Sequence, residues 1–170
     1  WVGEPDPLLL DSLTAGQPDR EIVRSAITDQ GDRALLLRRA GSGDILGYIA
    51  YRSLTTSQLF TALGDTELAN RIRLRAAGKT LLITALAAGG NPRFKDYHQL
   101  LLCELLARAL EEGCIYGLFC PHDGRVDSQL EDVLLRTGFL AREAGRPIWE
   151  TDMHAPATLI QNLETTIQEP

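Results

Sequence analysis

The sequence has no C-x-x-C pair, and its three cysteines, Cys103, Cys114 and Cys120, are odd in number and set among apolar residues. A disulfide framework is therefore excluded as the basis of the fold, and reduced core thiols in a cytoplasmic protein are expected. No apolar run reaches the roughly 18–20 residues that a bilayer-spanning helix needs. No charged segment followed by an apolar one opens the chain, so neither a membrane span nor a signal peptide is expected. Basic charge is scarce as well. Lys and Arg total 17 against 23 Asp and Glu, a net charge of −6, which opposes the clustered cations that nucleic-acid binding requires.

Phosphate-binding and catalytic signatures are also missing. "AAGKT" ends as a Walker A loop does, but Arg73 stands where the first glycine belongs, and a strand-like run follows where a helix is needed. There is no G-x-S-x-G and no Ser–His–Asp combination. Cys114, Cys120 and His122 share parity along one strand-like run, which suggests a metal site. An extended chain at ~3.3 Å per residue would hold the two cysteines about 20 Å apart, too far to share one zinc. No metal is expected.

What is present is the balance of a soluble globular chain: 170 residues, 44% apolar and 24% charged, enough for one domain with a real core. "DPLLLDSL" reads as one or two helical turns, and "PDREIVRSAITDQ" as a helix opened by Pro18 and Asp19. "RALLLRR" and "ILGYIAYRS" flank "AGSGD" and predict a β-hairpin. "TTSQLFTALGDTELANRIRLRA" reads as helix broken near Gly64–Asp65, with Asp65 as a second cap. "KTLLITALAAG" reads as a buried strand, with an alanine-rich helix as the competing assignment. A helix over Tyr97–Glu112 stopped by Gly113, a strand "CIYGLFC", and a helix "DSQLEDVLLRTG" capped by Asp127 and closed by Gly138 follow. "FLARE" and "PIWETDM" form a last strand pair around "AGR". Strands alternating with helices in this order predict an α/β (α+β) domain with a parallel crossover around the long helix.

Three pieces carry a resemblance, over about Lys79 to Met153. They are "LLLCELLARALEEGC" with its E-E-G turn, the strand "CIYGLFC", and "DSQLEDVLLRTGFLARE" with its G-F step. In this order they resemble the GNAT (Gcn5-related N-acetyltransferase) superfamily. The resemblance implies a mixed, mostly antiparallel sheet flanked by helices, here with "TTSQLFTALGDTELANRIRL" inserted between the third and fourth strands. It implies an acetyl-CoA-dependent N-acetyltransferase acting on a small-molecule or peptide amine. The family's loop R/Q-x-x-G-x-G/A holds the cofactor pyrophosphate with backbone amides at a helix N-terminus, where orphan N–H groups and the dipole attract anions.

Counting back from "EEGC" places that cofactor segment at Arg93, Phe94, Lys95, Asp96, Tyr97 and His98, with Arg93 opening the motif. Phe94, Asp96 and His98 fall where small residues belong. Asp96 sets a carboxylate beside the phosphate position, and Phe94 fills the approach. The family's Tyr before G-F, general acid for the leaving thiolate, is Leu134 here. The strand before the loop holds no carboxylate base. These departures describe an atypical cofactor loop, or a degenerate GNAT-like module in which acetyl-CoA binding is lost. A third reading keeps an acyl thioester but not N-acetylation.

"CPHDGR" supplies the best local constellation, with His122 and Asp123 as an acid–base pair and Arg125 as an anion clamp. The competing reading is a polar turn built on Pro121, Asp123 and Gly124. Trp149 and Tyr116 read as core, and His154 as a solvated turn residue. The domain is expected over residues 1–153. Residues 154–170 form an extension whose Leu159, Ile160, Leu163 and Ile167 share one helical face. With no initiator Met before Trp1, this predicts a segment of a multidomain protein with neighbouring domains in cis.

Overall fold

The computed structural model of the protein describes residues 2–3, 33–42, 45–64, 66–75, 78–88, 95–121, 126–142 and 148–154. Seven strands make one sheet: β1 (Val2–Gly3), β2 (Arg33–Arg38), β3 (Ile45–Leu54), β4 (Lys79–Ala88), β5 (Cys114–Phe119), β6 (Leu140–Arg142) and β7 (Ile148–Asp152). Their spatial order is β1-β2-β3-β4-β5-β7-β6. Every neighbouring pair is antiparallel except β4 and β5, which run parallel. Among the described residues four helices accompany the sheet: α1 (Thr56–Leu63), α2 (Thr66–Arg75), α3 (Lys95–Glu111) and α4 (Ser128–Arg136). The expected mixed, mostly antiparallel α/β architecture is the one observed.

Local chemistry accounts for the element ends. Thr55 and Gln58 form a capping box at the start of α1, and Gly64 ends it in the left-handed conformation at φ 59°. The break between α1 and α2 is where the sequence placed it. α3 starts two residues before the expected Tyr97 and ends at Glu111, after which Gly113 turns the chain at φ 80°. The Asp127 carboxylate accepts the amide of Leu130 at 2.8 Å and caps α4. At the other end of α4 the buried Thr137 hydroxyl donates to the Val133 carbonyl, and Gly138 (φ 89°) leads into β6. β4 pairs with a strand on each side and has buried residues of both parities. A central strand covered on both faces reads as a continuous apolar run, so the helix alternative for "KTLLITALAAG" fails.

The sheet separates two apolar clusters. On one face α3 and α4 pack with Leu35, Ile49, Leu81, Leu101, Leu105 and Phe139 at the centre. On the other face α1 and α2 bring Leu59, Leu68, Ala69 and Ile72 against Leu82 and Leu118. The inserted "TTSQLFTALGDTELANRIRL" therefore covers the parallel β4–β5 pair and is not a surface appendage. The shared parity of Cys114 and Cys120 does not survive. The β4–β5 register passes from Lys79↔Cys114 to Thr80↔Tyr116, skipping Ile115. Cys114 thus joins the first cluster while Cys120 packs on the second.

Asp65, the helices expected over "DPLLLDSL" and "PDREIVRSAITDQ", and the apolar face of Leu159, Ile160, Leu163 and Ile167 lie outside the described residues. None of the described helices is long and apolar enough to cross a membrane.

Candidate functional site

The parallel ladder between β4 and β5 stops early. It runs from Lys79↔Cys114 to Ile83↔Phe119, whereas β4 continues to Ala88 along β3. A β-bulge sits at the point of departure: Tyr51 faces Ile83, Ala50 faces Ala85, and Thr84 is the extra residue. Bulges bend and twist a strand and re-aim its neighbours. From Thr84 to Ala88, the β5-facing edge of β4 has no strand partner among the described residues. Among the described residues the pairing of β4 with β5 ends there, beside Cys120–Pro121, and the opening between the two strands is the candidate cleft. α3 begins seven residues after β4 ends, at Lys95.

Two buried polar atoms, the Thr84 hydroxyl on β4 and Nδ1 of His98 on α3, have no hydrogen-bond partner among the described residues. Buried polar groups are normally satisfied, so each such orphan calls for a physical account. His98 lies in the first turns of α3. Burial pushes its pKa below the ordinary histidine value, and the nearby Asp127 carboxylate at the start of α4 opposes that shift. A mainly neutral imidazole at that place offers one donor and one acceptor, not a fixed cation.

Of the residues assigned to the cofactor segment, Lys95, Asp96, Tyr97 and His98 lie in the opening turn of α3 rather than in the connecting loop. Tyr97 and His98 are half-buried. Arg93 and Phe94 lie outside the described residues, and so do His122, Asp123 and Arg125. No group of His, Cys, Asp or Glu able to hold a metal occurs among the described residues. His154 is exposed, its ring Nδ1 2.5 Å from Asp152 Oδ1, as a turn residue should be. Tyr116 and Trp149 are buried. Leu134 is fully buried against the first cluster.

The sequence reading missed a polar junction on the other face. Glu150 on β7 is 4% exposed, the single buried charged residue among the described ones. Its Oε2 accepts the Tyr116 hydroxyl at 2.7 Å, and its Oε1 pairs with Arg71 of α2. With both oxygens engaged, Glu150 acts as an anchor and not as a free base. The alternation of Ile148, Glu150 and Asp152 resembles an ordinary solvated strand face. Only the placement of the inserted helices makes that face an interior.

No protein-family model matches the chain, and no curated protein matches its sequence. Solved structures do match its fold. Arabidopsis thaliana NAA60 in complex with acetyl-CoA aligns at TM-score 0.65 and 11% identity, over 91% of this chain and 99% of that one. Aminoglycoside 6'-acetyltransferase type Ii aligns at TM-score 0.63 and 12% identity, over 90% and 97%. The PaiA N-acetyltransferase of Thermoplasma acidophilum, in complex with coenzyme A, aligns at TM-score 0.60 and 13% identity, over 89% and 98%. A central parallel pair that opens beyond a bulge, with a long helix crossing between its strands, is thus set in a sheet of the GNAT acetyltransferase fold.

Proposed function

We propose that the protein is an acetyl-CoA-dependent N-acetyltransferase with an atypical cofactor loop, acting on a small-molecule or peptide amine. The β4 edge from Thr84 to Ala88, which has no strand partner among the described residues on its β5 side, carries this reading. Its backbone N–H and C=O groups need partners, and an extended ligand laid along the edge supplies them as an added strand would. The amide-bearing arm of coenzyme A has that shape and that hydrogen-bonding pattern. The unpartnered Thr84 hydroxyl beside the bulge fits a ligand polar group, and the start of α3 offers orphan amides to a pyrophosphate.

Bound acetyl-CoA supplies an activated acetyl group, whose C–S bond breaks as the amine nitrogen bonds to the carbonyl carbon. The chain's own part is to hold the thioester along β4 and to orient the amine against it. With Leu134 at the tyrosine position, water protonates the leaving thiolate. Arg93 and Lys95 favour the pyrophosphate by charge, whereas Asp96 opposes it and Phe94 crowds it. His122 and Asp123, beyond the end of β5, are the pair assigned to the amine's proton.

Calorimetric titration with acetyl-CoA tests this. One molecule should bind per chain, weakly. The Phe94→Gly/Asp96→Gly variant should bind more tightly by about 1–2 kcal/mol, the range of charge effects at a helix N-terminus. Absence of binding in both proteins overturns the reading. It would favour the second one, a degenerate GNAT-like module within a multidomain protein, which the buried Leu134 supports.

A further inference from the structure

The face of the sheet opposite α3 and α4 carries the inserted hairpin. Leu82 and Leu118 face each other one rung before the β4–β5 ladder ends, and both belong to the cluster formed with Leu59, Leu68, Ala69 and Ile72. Phe119↔Trp149 is the last rung on the β7 side, so Cys120 and Ile148 lie just beyond it, level with the opening. Both are half-buried and packed on that same cluster. The hairpin's apolar packing therefore runs up to the end of the β4–β5 ladder, the side on which the candidate cleft opens.

Apolar contact alone is non-directional and leaves a helical hairpin several registers against a sheet. The Arg71–Glu150–Tyr116 junction selects one. A buried carboxylate deprived of its cation is strongly unfavourable, so shifted registers that separate Arg71 from Glu150 are disfavoured. Tyr116 fixes the carboxylate from the β5 side, the strand that borders the cleft.

We propose that the inserted α1–α2 hairpin is the acceptor-side wall of the cleft, set in place by Arg71, Glu150 and Tyr116 as positioning residues, and that it selects amines carrying an apolar body. The acceptor part rests on the acetyltransferase reading, whereas the anchoring part does not. 2-Phenylethylamine should therefore bind the full chain, with coenzyme A present, at least five-fold more tightly than ethanolamine. Glu150→Gln should reduce that preference to below two-fold and raise amide exchange in Thr66–Arg75 about ten-fold. Acetyl-CoA affinity and exchange in α3 should stay unchanged. Tyr116→Phe, which removes one hydrogen bond and keeps the ring, should move both readouts the same way by less, and serves if Glu150→Gln fails to fold. Equal or absent binding of the two amines overturns the acceptor assignment. Unchanged exchange in Thr66–Arg75 in both variants overturns the anchoring. Failure to bind acetyl-CoA, with exchange raised as stated, overturns the enzyme reading while leaving the anchoring in place.

Discussion

At Thr84 a buried hydroxyl has no hydrogen-bond partner among the described residues, and that gives a substitution with two opposed consequences. Thr84→Val removes the orphan, so the free protein should lose no stability and should gain some of the ~1–3 kcal/mol that an unsatisfied buried group costs. If the hydroxyl meets the cofactor, acetyl-CoA affinity should fall by about 1 kcal/mol, near five-fold. Urea unfolding and calorimetry on the same variant read the two effects separately. Gly117 poses a steric question. A Cβ there would stand 2.7 Å from Thr151 Cγ2 and 3.8 Å from Phe139 Cζ. Gly117→Ala should cost ~1–3 kcal/mol in urea unfolding, as overpacking does. His98 sets a pH dependence. Its folded pKa lies below the unfolded value of about 6.5, so its contribution is fully present above that value and is lost as pH falls through the lower folded value. Stability measured between pH 7.5 and 5 should therefore drop more in the wild type than in His98→Gln.

The elements show where sequence patterns are strong and where they mislead. Helix α4 has its cap, its apolar side and its terminal glycine in consecutive sequence, and each is found in place. Asp127→Ala should cost ~1 kcal/mol in urea unfolding through loss of the Leu130 hydrogen bond. The same substitution removes the carboxylate near His98, so the His98 proton should leave at still lower pH, which NMR titration of the imidazole checks. The first turn of α3 gives little signal in the sequence because Lys95 and Asp96 carry no apolar periodicity. Local pattern cannot distinguish the polar first turn of a helix from the loop before it. β1 went unread for a related reason: two residues, Val2 and Gly3, pair with Leu37 and Leu36 and leave no periodic signal. At Ile115 a skipped residue reversed the facing of Cys114, an event with no local signature.

Across the whole molecule, the strands, helices and mixed class were legible because burial writes its period into the chain. Leu35 and Leu37 share the face turned to α3, and Leu101, Leu105 and Ala109 recur on one side of that helix. Caps and turn glycines then mark the ends. What the sequence could not determine was proximity between distant segments. Arg71 and Glu150 are 79 residues apart and meet only because the inserted hairpin folds over the β4–β5–β7 face. Likewise the candidate cleft follows from β5 ending its pairing with β4 at Phe119 while β4 continues along β3, a difference between two ladders and not a property of either strand. Local propensity and amphipathic period act over a few residues and were decided by the sequence alone. Strand order, the register skips at Ile115 and Thr84, and the burial of Glu150 depend on which surfaces meet, and only tertiary packing decided them.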